Sequence, residues 1–162
     1  MPLSESEVIG LLQHTPSLHT FILHELWASG DYRDNLNRRQ KWKSKLEPQY
    51  QIVTKTFLEK LGALTVVADP FAATQYLLVP RLKTLKLGVH SHFDGDDTFV
   101  DFVKSRWMQA DGDVGLNEVK RLRTVVLHIA DRKLVEKVYE PLKRVDREGM
   151  MISVFGDGVR VI

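Results

Sequence analysis

Two stretches of this chain concentrate side chains that do chemistry. The first is Arg33 to Lys45, RDNLNRRQKWKSK, where Arg33, Arg38, Arg39, Lys41, Lys43 and Lys45 are set against the lone acid Asp34, with Trp42 among them. The whole chain carries only +2, so positive charge is gathered in this window and the remainder is slightly acidic. On a helix, Arg38, Lys41 and Lys45 share a face with Arg39 and Lys43 alongside. Such a stripe can follow phosphates and displace their condensed counterions. Trp42 would stack on an unpaired base or carry guanidinium groups on its ring. Two other readings compete: an acidic protein partner, or a solvated helix face whose Trp42 turns into the core.

The second stretch is Val89 to Asp97, VHSHFDGDD. On a strand, His90 and His92 would point the same way about 7 Å apart, and Asp94 from the following turn would complete a set of two His and one carboxylate. That set suits a divalent metal with open coordination positions. Asp96 and Asp97 are equally explained as caps at the start of a helix, where carboxylates meet the positive dipole end.

The elements that must position these groups are read from periodicity. Ser4 and Glu7 have capping-box spacing ahead of Val8, Leu11 and Leu12. A second helix is expected from Pro16-Ser17 to Gly30 through Leu18, Phe21, Ile22, Leu23 and Leu26. A third is expected to end at Gly62, with Tyr50, Val53, Phe57 and Leu61 on its apolar side. On helices, His14, His19 and His24 lie about 140° apart on successive steps and make no common ligand face. After Gly62 the period changes. Leu64–Ala68, Thr74–Val79, Leu82–Phe93, Thr124–Ala130 and Met150–Phe155 read as strands. Val159–Ile162 can pair across Gly156-Asp157-Gly158, and Asp97–Gln109 and Arg132–Glu148 read as helices.

The expected fold is α+β or α/β: an N-terminal helical bundle (1–62) followed by a mixed sheet with two crossover helices (63–162), in one domain spanning 1–162. If the later strands are parallel, His92, Asp94, His128, Asp131 and Asp157 gather at their carboxyl ends, where open α/β sheets bind ligands. Three helices before a hairpin also match the order of a winged-helix domain, although the strongest charge falls one helix before the one that would enter a groove. Asp69 ahead of one strand and Arg81-Leu82-Lys83 in the next give an element order that resembles the core of the PD-(D/E)xK nuclease fold. No acid stands two positions before Lys83, so the metal-binding half of that motif is missing.

The chain contains no cysteine, which excludes disulfides, thiolate catalysis and Cys-type zinc sites. It has no apolar run of about 18 residues and no secretory pattern at its start. The expected setting is cytoplasmic, without membrane insertion. The function these residues suggest is that of a small nucleic-acid-binding or nucleic-acid-associated protein, meeting the DNA or RNA backbone through the basic window. The alternatives are a phosphoester hydrolase that takes a divalent metal at the His/Asp cluster, and a protein-binding adaptor without a catalytic site.

Overall fold

In the computed structural model, which describes residues 3–25, 51–69, 72–108 and 119–162, helix α1 (Glu5–Gln13) opens the chain. The expected capping box forms: the Ser4 hydroxyl accepts from the Glu7 N–H, and the Glu7 carboxylate takes the Ser4 N–H at 2.7 Å. Val8 and Leu12, one turn apart, are buried. The next element departs from expectation. Thr20–His24 is a strand, β1, and so the stretch from 4 to 62 is not continuously helical. An apolar run this short satisfies either period, and the ladder that a neighbouring strand supplies decides between them. With a strand there, neither a helical bundle nor a winged-helix order leads into the sheet.

Helix α2 (Lys55–Gly62) is capped by Thr54, whose hydroxyl accepts from the Phe57 N–H at 3.0 Å. It leads into the antiparallel hairpin β2 (Leu64–Asp69) and β3 (Ala72–Leu77), a separate two-stranded sheet. There follow β4 (Thr84–Val89), α3 (Asp96–Met108), β5 (Thr124–Ile129), α4 (Glu136–Arg147), β6 (Met151–Gly156) and β7 (Val159–Arg160). The main sheet has the order β1-β4-β5-β6-β7. Its first four strands are parallel, and β7 turns back antiparallel on β6. The chain is thus an α/β protein with a mixed sheet. The turn into β7 explains Asp157: with Asp157 at φ 49° and Gly158 at φ 75°, it has the positive-φ pair of a tight hairpin turn.

Strands added in one direction put right-handed crossovers on one face. Accordingly α2 touches α3 and α3 touches α4. Register then assigns the side chains. Phe21, Leu85, Val125 and Ile152 form one cross-strand row, and Leu23, Leu87, Leu127 and Val154 the next. Both rows pack under the helices in one apolar cluster that also takes Val8 and Leu12 of α1, Phe57 and Leu61 of α2, Phe99 of α3 and Leu142 of α4. At about 1.5–3 kcal/mol for each fully buried side chain, this face dominates the fold's stability. The opposite face bears the rows Ile22, Lys86, Val126, Ser153 and His24, Gly88, His128, Phe155.

One charge lies inside the core. Arg106 of α3 is 1% exposed, and its Nη2 donates to the carbonyls of Val79 at 3.1 Å and Pro80 at 3.3 Å, with Leu82 and Lys120 slightly further. It ties the helix to the chain entering β4 and β5. Burial lowers its pKa to about 10.

Candidate functional site at the carboxyl ends of the parallel strands

Where β1 ends, Glu25 continues the ladder, donating its N–H to the Gly88 carbonyl at 2.8 Å. Its side chain turns to the segment that precedes α2. The Glu25 Oε1 accepts from the Ile52 N–H at 2.7 Å and from the Val53 N–H, and the backbone N–H of His90 also reaches the carboxylate. Burial raises the Glu25 pKa above the usual carboxylate range against these three donors, which pull it down. The other oxygen, Oε2, is buried and accepts no hydrogen bond. Two points far apart in sequence, residues 25 and 52, are therefore pinned together at the carboxyl edge of the sheet.

His90 stands beside this clamp. β4 stops at Val89, and the Phe93 N–H closes a turn onto the His90 carbonyl at 3.1 Å. The alternation expected along a strand to Phe93 is absent, so His90 and His92 do not project from one strand face. The His90 imidazole is hydrogen-bonded to the Glu25 backbone carbonyl. Burial lowers its pKa. The Glu25 carbonyl and the Asp131 charge oppose that shift, and His92 adds to it.

Two further carboxylates stand at this edge, Asp131 and Asp96. Asp131 follows β5 with φ 54°, a left-handed conformation that few residues other than glycine adopt. Asp96, the first residue of α3, accepts from Arg132 Nη2 at 2.6 Å and from the Tyr139 hydroxyl, while Arg132 Nη1 donates to the Phe93 carbonyl at 2.6 Å. Burial, followed by the Asp96 hydrogen bond and charge, pushes the Tyr139 hydroxyl far up. Arg132, Lys133, Val135 and Tyr139 border a cleft of about 140 Å³ at the start of α4. The chain from Arg132 to Leu134 crosses directly over Gly156, where a Cβ would stand 2.3 Å from Leu134 Cγ and 2.7 Å from the Arg132 carbonyl oxygen. Only glycine admits that crossing.

Of the five residues expected at the carboxyl ends of parallel strands, Asp131 and Asp157 directly follow β5 and β6, and His90, which is not among the five, directly follows β4. His92 and Asp94 lie exposed in the turn beyond β4. His128 is inside β5, on the face away from the helices. Among the described residues, no group of three His, Asp or Glu side chains comes together in a way that would hold a metal ion. Arg33, Arg38, Arg39, Lys41, Trp42, Lys43 and Lys45 lie outside the described residues. No helix among the described residues is long and apolar enough to cross a membrane.

Sequence reasoning missed Glu25, because it fell in the middle of an expected helix. Alternation of Thr20, Ile22 and His24 with Phe21 and Leu23 is the signal that would have placed it just past a strand end. Comparison with family models, curated proteins and solved structures finds no match for this chain.

Proposed function

We propose that this protein is nucleic-acid-associated and binds the sugar-phosphate backbone through Arg33, Arg38, Arg39, Lys41, Lys43 and Lys45, with Trp42 available to stack. One observation carries the proposal. Glu25 pins the end of β1 to Ile52 and Val53 at the carboxyl edge of the parallel sheet, and the basic window lies in sequence between these two points. That edge is where open α/β sheets receive ligands. The character of the contact follows from the charge pattern. A cationic strip on an otherwise slightly acidic body gives salt-sensitive backbone binding, with little reading of base sequence.

The test is fluorescence anisotropy with labelled single- and double-stranded oligonucleotides of DNA and RNA across a salt series. Binding should fall linearly in log–log form, with about 0.7–0.9 in slope for each phosphate contact. Replacing the six cations by Gln should abolish binding and flatten the slope. Wild-type protein that shows no salt-sensitive binding to any of these oligonucleotides near physiological ionic strength refutes the proposal.

A further inference from the structure

A parallel sheet is ordinarily covered on both faces, yet every helix with a described place in the apolar cluster packs on one side of this one. The other face is built differently from a core. None of the four parallel strands contains an Asp or Glu. The only charged side chain they hold is Lys86, half-buried in the centre of the face that no described helix packs on.

Beside Lys86 runs a row of rings. His128 of β5 meets Phe155 of β6 edge-on, with centroids 5.9 Å apart and planes at 87°. On the other flank, the His24 imidazole lies over Gly88. A Cβ on Gly88 would fall 2.5 Å from His24 Nδ1, so the absence of a side chain at 88 leaves room for the ring. Val126 and Ser153 complete the neighbouring row with Lys86, and Ile22 at its end is 51% exposed. A sheet face that offers aromatic rings, small polar groups and a cation, on strands that carry no acid, is complementary to unpaired nucleobases on a phosphate backbone. Bases stack on the rings, and the cation neutralises a phosphate. A protein partner of ordinary mixed charge gains nothing from this exclusion of acids.

We infer that the sheet face away from the described helices binds single-stranded nucleic acid, with His128 and Phe155 as the stacking pair and Lys86 as the phosphate contact. This inference rests on the nucleic-acid reading and extends it to a second surface, on which unpaired bases are preferred over duplex.

Full-length protein is titrated into labelled twelve-nucleotide single strands of DNA and RNA, and into the matching duplex. The variants are Phe155→Leu, Phe155→Tyr, His128→Val, Lys86→Gln and the window with its six cations replaced by Gln. Circular dichroism and thermal midpoints certify the fold of each. Phe155→Leu and His128→Val should each weaken single-strand binding about fivefold or more, as loss of a stacked base does. Phe155→Tyr, which keeps the ring, should bind like the wild type. Lys86→Gln should reduce the salt slope by about one contact.

The outcomes separate the two surfaces. If the face variants bind like the wild type while the window variant does not bind, the sheet-face inference is overturned and the basic-window reading stands. If the face variants lose binding and the window variant keeps it, the window reading fails and the face stands. Equal affinity for duplex and single strand, with face variants unaffected, also overturns the face. A wild-type protein that binds none of these oligonucleotides overturns both.

Discussion

Glu25 joins two distant parts of the chain at the strand ends, its carboxylate meeting the backbone N–H groups of Ile52 and Val53 and that of His90. Its raised pKa has a definite sign in stability. A carboxyl group that holds its proton more tightly when folded stabilises the fold fully below its ordinary value near 4.5. That contribution is lost as pH rises through the elevated folded value. Urea titrations of wild type and Glu25→Gln across pH 4 to 7.5 should therefore show the wild type gaining stability relative to the variant as pH falls. A pH-independent difference would contradict this. His90 acts oppositely: its lowered pKa stabilises the fold above 6.5, and the contribution is lost as pH falls through the depressed folded value. Arg106 is a second residue-scale test. Arg106→Ala opens a cavity and strips donors from the carbonyls of Val79 and Pro80, and should cost about 3–5 kcal/mol in chemical denaturation. Arg106→Met fills the volume and removes the uncompensated charge, so it should recover part of that loss. An alanine variant as stable as the wild type would show that the carbonyl contacts contribute nothing.

At the scale of elements, the strand ends are shaped by close approach as much as by side-chain chemistry. Gly156→Ala forces the Arg132–Leu134 crossing outwards, because one of its contacts is backbone and cannot rotate away. A loss of about 1–3 kcal/mol is expected, together with faster amide exchange in residues 132 to 135; unchanged exchange would contradict it. The start of α1 is a purely local device. Ser4→Ala removes one half of a reciprocal cap and should cost about 1 kcal/mol in thermal or urea unfolding. The elements also show where periodicity serves and where it misleads. β5 and β6 were legible because their apolar runs are bounded by charged residues and turns. α1 was legible from its cap. β1 was not: Phe21, Ile22 and Leu23 fit a helix face as well as a strand, and only the pairing of Thr20–His24 with Thr84–Gly88 decides between them. β4 was read too long, since nothing in HSHF marks the point where the ladder stops and the turn begins.

At the scale of the whole molecule, the described helices pack on one side of the sheet and share its core. One apolar cluster reaches from Val8 of α1 to Val154 of β6, and unfolding should be a single cooperative event. Far-ultraviolet and aromatic circular dichroism should lose signal at the same urea concentration; two separated transitions would show otherwise. By itself, the sequence determined what depends on local order: the cap of α1, the turn at Asp157-Gly158, the alternation of strands and helices after Gly62, and the clustering of charge in Arg33–Lys45. Only the tertiary structure decided what depends on contacts between distant residues. It paired β1 with β4, joined Glu25 to Ile52 and His90, and turned His24 from one of three scattered histidines into a neighbour of Gly88 in the row that leads to His128 and Phe155. The physical reason is that hydrogen-bond ladders and cross-strand rows are fixed by register between segments. No periodicity within one segment encodes its partner.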